Sequence, residues 1–295
     1  VCSSDLQLSG FKCRPEQSVS ELCRGLAPGA MASLIEPLCV SALNTPAEAA
    51  SATVFLRVLH DALFSGPGAS DLLIPRRPLA ELLPEPALRW LQQHGTTLRI
   101  GQRVQRLAAR TDGVGWTVDN AAFDRVVLAC SASEAARLTR DIAPAWSASA
   151  AAFGYEPIVT GYMRAANARL AAPMVALTEG PQAPAQFAFD HGALGMTPGL
   201  FAFVVSGAAP WVAQGMDATG AALLAQARSV LRGEGAADAA LGAGRSAGCR
   251  TSRRAVRIAA ACDPQAGLRA QGHHGRRPER FGRDGLGLAD ASWNG

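Results

Sequence analysis

The seven cysteines of this chain (Cys2, Cys13, Cys23, Cys39, Cys130, Cys249 and Cys262) are scattered singly. With no Cys-x-x-Cys pair and an odd count, they spell neither a zinc site nor a disulfide framework, and they point to a reducing compartment. His273 and His274 are adjacent and lack partners at metal-ligand spacing, so they read as solvated, and no metal site is expected. No Ser-His-Asp arrangement and no phosphate loop is present. A Gly-x-Gly-x-x-Gly turn, which lets a backbone approach a pyrophosphate at a helix N-terminus, is also missing. Its nearest echo, Gly113-Val114-Gly115, has Val118 in the last place and falls in a hairpin. Ala129 and Cys130 end an apolar run, the position at which α/β sheets meet their ligands, although Cys130 is more simply a small packed residue. Glu156 and Asp190 are acids by position alone, and no catalytic residue is assigned.

The elements that would carry these groups follow from periodicity and punctuation. Residues 16–35 read as two short helices broken at Ala27-Pro28-Gly29, followed by a loop from Glu36. Thr45, Pro46 and Glu48 form a capping-box pattern that predicts a helix start. Behind it, Val54, Val58 and Leu59, flanked by Phe55 and Leu63, build an apolar stripe, with Glu48, Arg57 and Asp61 facing water. Leu72-Leu73-Ile74 is expected as a short buried strand, and residues 79–94 as helical with a fresh start near Pro86, stopped by Gly95. Strands are predicted over 97–100, 104–109, 115–118 and 125–130, the middle pair joined by an Asp112-Gly113 hairpin. The last of them, with Val126-Val127-Leu128-Ala129, is apolar on both faces, as a strand covered on both sides must be. Ser131 and Glu134 then cap a helix over 132–140. A second β region is expected at 158–163, 174–177, 186–189 and 200–205, closed by a helix over 220–231.

Charge and hydropathy exclude several classes. The net +4 divides by position: residues 241–295 carry ten arginines against four acidic residues, which leaves residues 1–240 at −2 and offers no surface for tracking phosphates. No nucleic-acid partner is expected. The longest apolar stretch, 199–213, is shorter than the ~20 residues of a spanning helix and contains Pro210.

Five strings, in order along the chain, carry a family resemblance. They are Glu36-Pro37-Leu38-Cys39-Val40-Ser41-Ala42-Leu43-Asn44-Thr45-Pro46, then Ser70 to Arg76, then Pro84-Glu85-Pro86-Ala87 with Trp90-Leu91, then Tyr155-Glu156-Pro157-Ile158, and finally Gln186 to Asp190. Over about residues 15–235 the chain resembles the hydroxysqualene dehydroxylases, the squalene-associated flavin-dependent desaturase-like enzymes of the flavin amine-oxidase and phytoene-desaturase superfamily. The resemblance implies an α/β fold class: a partial FAD-binding Rossmann-like lobe joined to an α+β substrate lobe of mixed sheet and helix. It implies FAD as cofactor and an apolar polyprenoid as substrate, with loss of the hydroxyl of hydroxysqualene to give squalene. It also implies a cytoplasmic protein with peripheral contact at the inner membrane face. A carotenoid- or squalene-type desaturase is the nearest alternative, and a non-catalytic apolar-lipid-binding module the alternative from another class. By the same resemblance Val104 would offer its backbone to the adenine, with Ala129 beside the cofactor. Tyr155, Gln186, Phe187 and Phe189 would line the substrate tunnel. Alternation along a strand puts Phe187 and Phe189 on one side, and Gln186 and Ala188 on the other.

The expected organisation is a helical part of the substrate domain at 15–75, the partial FAD-binding lobe at 76–145 and the rest of the substrate domain at 146–235. Residues 1–14, which open on the translation of a common sequencing-adapter string, are expected to be foreign to the fold. Residues 236–295, rich in Arg and Gly and without apolar periodicity, read as a disordered or frame-shifted tail. The glycine turn of the family would precede the first matching string. On that basis the chain is expected to be an internal fragment, inactive by itself.

Overall fold

A computed structural model describes residues 10–233, 239–241 and 259–263. Helices α1 (Val19–Leu22), α2 (Pro28–Ala30), α3 (Glu36–Leu43) and α4 (Ala52–Leu59) come first, with π turns at Met31–Ile35 and His60–Phe64. Next are α5 (Leu79–Leu82), α6 (Pro84–Gln93) and the strands β1 (Leu107–Ala109), β2 (Trp116–Val118) and β3 (Ala121–Phe123), which pair antiparallel in a three-stranded sheet. Helices α7 (Ala132–Thr139) and α8 (Pro144–Ala151) lead into β4 (Glu156–Arg164), β5 (Met174–Ala176), β6 (Phe187–Asp190) and β7 (Leu200–Val205). Helices α9 (Ala209–Gln214) and α10 (Met216–Val230) and strands β8 (Ala240–Leu241) and β9 (Ala259–Asp263) follow. The expected mixture of helix and sheet is present, and both sheets are antiparallel.

The larger sheet runs β5-β6-β7-β4, with β8 and β9 both on the outer side of β4. Its register puts Val159, Gly161 and Met163 of β4 opposite Val205, Phe203 and Phe201 of β7, and Ala188 of β6 opposite Phe203. These side chains share one face and are buried with Leu223 and Ala227 of α10 and Trp211 of α9. Gly161 is glycine for a packing reason: a Cβ there would lie 2.8 Å from Leu223 Cδ1. Strands β4 to β7 and α10 fall where the period-2 and period-3.6 patterns predict them, within a few residues at each end.

Three expectations from sequence are overturned. The loop from Glu36 is a helix, α3, and the helix expected from Pro46 begins only at Ala52. The Thr45 hydroxyl turns back to donate to Leu43 O (2.9 Å), while the Ala47 N–H it would have capped is taken by the Glu36 carboxylate (3.2 and 3.3 Å). The carbonyls of Ala47 and Ala50 accept from Ser20 and Val19 N–H of the first helical turn, so tertiary bonds override the local capping pattern. The buried residues of α4 are accordingly Ala52, Phe55 and Leu56, while Val54, Val58 and Leu59 pack at the margin of the core and Leu63, beyond the helix, is exposed.

The second correction is Leu72-Leu73-Ile74, which forms no strand and leaves Leu73 96% exposed. The third concerns the first β region. Residues 97–100 and 125–130 are not strands, and of 104–109 only the last three residues pair. The hairpin at Asp112-Gly113 does form, with Ala109 opposite Trp116 and Gly113 at φ +76. An unforeseen third strand, β3, follows a two-residue turn at Asp119-Asn120 in which Asp119 has φ +52. Of the tail from 236 onwards, the described residues include β8 and β9, both paired with β4; the rest lies outside the described residues, as does the start at 1–9.

One side chain ties the helical layer to the sheet. Asn44 ends α3 in the left-handed conformation (φ +50), which asparagine tolerates better than most residues. Its Nδ2 donates to Glu156 O at the start of β4 (2.9 Å), and its Oδ1 accepts from Gly207 N–H beyond β7 (2.7 Å). Asn44→Ala is expected to lower stability by about 2–4 kcal/mol, from two part-buried backbone groups left unpaired plus left-handed strain. Asn44→Gly should recover only the strain, roughly 1 kcal/mol. Urea denaturation of the three proteins measures both.

Candidate functional site

Two places hold the residues singled out by sequence, and they are built differently. The first is the strap at Val104 to Arg106. It should have been a strand, but side chains take its backbone groups. Arg137 of α7 donates to Val104 O (2.6 Å) and to Gln105 O (2.9 Å). Asp119 Oδ1 accepts from both Gln105 N–H and Arg106 N–H at 2.9 Å. Glu134 orients Arg137 through bonds of 2.9 and 3.0 Å and also pairs with Arg103. The hydrogen bonds from Arg103, and then those from Arg137, hold the Glu134 carboxyl below its usual range. Val104 is half-buried, and its own N–H has no protein partner among the described residues.

Ser131 caps α7 by accepting from Glu134 N–H (3.4 Å), as predicted; Glu134 does not reciprocate, because its carboxylate is committed to the two arginines. Ala129 and Cys130 lie just ahead of this cap, both exposed. A cleft of about 410 Å³ runs between α7 and α8, lined by residues that include Ser133, Arg137, Arg140 and Ser147.

The second place is the face of the large sheet turned away from α10. Register aligns Ala176, Phe187, Val204 and Thr160 in one row, and Met174, Phe189, Ala202 and Tyr162 in the next. Phe187, Phe189, Thr160, Tyr162 and Met174 are half-buried, and the Tyr162 ring meets His191 edge-on at 6.1 Å. Burial pushes the His191 imidazole below its usual value, against a smaller opposing pull from Asp190.

Gln186 projects to the opposite, buried face. Its Oε1 accepts from Ser206 N–H (2.8 Å), and its Nε2 donates to Ser206 O (3.3 Å) and to Glu179 (2.9 Å). Gln186 therefore extends the β6–β7 pairing with a side chain, and it is not brought together with Phe187 and Phe189. Tyr155 lies just before β4, and its hydroxyl is a buried polar atom with no partner among the described residues. Both acids are spent on structure. The Glu156 carboxylate accepts from Ala209 N–H at the start of α9 (3.0 Å), and Asp190 accepts from Ala193 N–H (3.0 Å) and Leu170 N–H (3.4 Å).

The Glu36 to Thr45 string proves to be a staple, with the Glu36 carboxylate on Ala47, Asn44 across to the sheet, and Cys39 Sγ donating to Thr45 O (3.4 Å). Burial raises the Glu36 carboxyl, and burial with the nearby Glu36 pushes the Cys39 thiol up to about 12, so Cys39 is an inert core group. Sequence reading missed Asn44, Arg137 and Asp119. An Asn before Thr-Pro and an Asp-Asn pair between two apolar triplets are the signals that mark the two left-handed turns. Among the described residues no cluster of His, Cys, Asp and Glu suits a metal ion, and no helix is long and apolar enough to cross a membrane.

Comparison with known proteins fits this arrangement. Residues 12–233 match the family model for flavin containing amine oxidoreductase. A stretch of 75 residues is 32% identical to hydroxysqualene dehydroxylase of Sinorhizobium fredii (strain NBRC 101917 / NGR234), covering 25% of this chain and 18% of that protein. Among solved structures, an oxidoreductase from Methanosarcina mazei shares the fold with a TM-score of 0.51 at 13% identity, over 72% of this chain and 52% of that one.

If the strap is held as described, Asp119→Ala should speed hydrogen exchange at the Gln105 and Arg106 amides by about tenfold or more. That is the loss of roughly 1.5–3 kcal/mol per charged hydrogen bond. Asp119→Asn, which keeps an acceptor and tolerates the left-handed turn, should restore most of the protection.

Proposed function

The chain belongs to the flavin containing amine oxidoreductase family, and on that premise we propose that it is the substrate-binding part of an FAD-dependent enzyme of squalene synthesis, acting on hydroxysqualene. The observation that carries the reading is the 32% identical stretch shared with a hydroxysqualene dehydroxylase. The reaction replaces a carbon–oxygen bond by a carbon–hydrogen bond. When bound, a reduced flavin would supply the hydride in that chemistry, and the hydroxyl takes up a proton to leave as water. An apolar, water-poor surface suits it, because a departing hydroxyl is otherwise at the mercy of solvent. The half-buried face bearing Phe187, Phe189, Tyr162 and Met174 supplies apolar side chains for such a surface, in rows along which an extended hydrocarbon could lie. In this reading Phe187 and Phe189 contact the polyprene, Tyr155 keeps its hydroxyl buried just before β4, and Gln186 fixes β6. Contact with the inner membrane face, where such substrates dissolve, is part of the same proposal.

The residues present do not fit the whole of FAD. Val104 has a free N–H for the adenine, with Ala129 nearby in sequence to the cap of α7, but no glycine turn cradles a diphosphate. No proton or hydride step is therefore assigned to a residue of this chain.

Equilibrium binding of hydroxysqualene to the full chain tests the substrate reading. Saturable binding is expected, and Phe189→Asp should weaken it by about tenfold or more, the loss of roughly 1.5–3 kcal/mol for an apolar side chain with a charge put in its place. Absence of saturable binding would contradict the reading. Tighter binding of phytoene than of hydroxysqualene would favour a carotenoid-type desaturase.

A further inference from the structure

Alternation along β6 places His191 on the same side of the large sheet as Phe187 and Phe189. It stands one residue past the strand and keeps its pairing, with its N–H donating to Leu200 O of β7 (3.0 Å). Its ring meets Tyr162 of β4 edge-on across β7, because the residue of β7 opposite Tyr162 is Ala202, whose methyl is too short to stand between the rings. The imidazole and the hydroxyls of Thr160 and Tyr162 therefore edge the apolar rows of β5, β6 and β7. None of these three half-buried side chains makes a hydrogen bond among the described residues, and unlike the Tyr155 hydroxyl none is sealed from solvent. By contrast, Gln186, Asp190 and Glu156 are committed to backbone groups. Position singles out His191 among the three. Successive side chains on one side of a strand stand about 7 Å apart, so a hydrocarbon lying over the two phenyl rings meets the imidazole next. Burial keeps that imidazole uncharged at neutral pH, with one nitrogen a donor and the other an acceptor.

We propose that His191 is the hydroxyl-recognising residue of this face: a ring nitrogen hydrogen-bonds the oxygen of a polyprenyl alcohol whose hydrocarbon lies over Phe187 and Phe189. The inference rests on the substrate reading above and adds to it an orientation, with the carbon that bears the oxygen at the His191 end of the row. Tyr162 steadies the ring by its edge contact. A hydrocarbon that lacks the hydroxyl leaves the imidazole under apolar cover without a partner, and that penalty selects against it. The bond holds the oxygen in place and transfers no proton.

Equilibrium binding of hydroxysqualene and of squalene to the full chain, in the same detergent, reads the assignment as a ratio of dissociation constants. The parent chain is expected to favour the alcohol by about tenfold, the difference between a satisfied and an unsatisfied polar group. His191→Phe keeps an aromatic ring against Tyr162 and removes both nitrogens, and it should bring the ratio to about one. His191→Leu, also without nitrogens, should do the same, while His191→Gln restores a donor and an acceptor and should recover part of the preference. A ring that acts by packing alone would leave the ratio unchanged in His191→Phe. Equal affinities in the parent chain, or a preference that survives His191→Phe or His191→Leu, would overturn the assignment and leave the apolar face standing. Farnesol against farnesene separates the two readings. A His191-dependent preference for farnesol, in a chain that binds neither squalene nor hydroxysqualene, would keep the hydroxyl site and sink the squalene reading. No saturable binding of any of the four ligands would sink both.

Discussion

The helical layer is tied to the large sheet by the side-chain amide of Asn44. One carboxamide reaches a carbonyl 112 residues away and an N–H 163 residues away, and so fixes the helical layer to both central strands of the large sheet. The left-handed turn that aims it is the point where α3 stops, which is why the chain reverses at Asn44 rather than running into α4. Glu36 completes the arrangement from the other end of α3 by holding the Ala47 N–H. A part-buried carboxylate in this place is stabilised by that bond and destabilised by its loss of water, and the second effect is the larger, since the carboxyl is pushed above its ordinary range. The string that most marks the family resemblance is therefore architectural, and it carries no chemistry of its own.

The two faces of the large sheet divide the labour. The covered face is filled by Phe201, Phe203, Val205, Val159 and Met163 against Leu223, with Gly161 admitting the helix closely. The other face keeps its aromatic and apolar groups half-open, and these are the residues proposed to meet a polyprene. Groups that look catalytic by type are consumed in holding this division. Glu156 caps α9, Asp190 closes the turn after β6, and Gln186 continues the ladder where β7 ends.

How much of this the sequence disclosed depends on where each segment finds its hydrogen-bond partners. Strands β4 to β7 and α10 were legible because their partners are one another, so local pattern and tertiary packing agree. The side to which Phe187 points was legible for the same reason. The cap at Thr45 was not, because the competing acceptor, Glu36, is nine residues back in the chain. Residues 104–106 look like a strand in sequence and are instead a strap, since Arg137 and Asp119 reach them first. Residues 126–129 have the right composition for a strand and no neighbour to pair with among the described residues. Composition specifies a strand, and only a partner makes one.

The central proposal is that this chain carries the substrate side of a flavin enzyme, with one face for an apolar ligand and no Gly-x-Gly-x-x-Gly turn in its sequence. Calorimetric titration of FAD into the purified full chain tests it most directly. The account predicts no saturable binding and a colourless protein after gel filtration. One equivalent of FAD retained by the chain alone would contradict it.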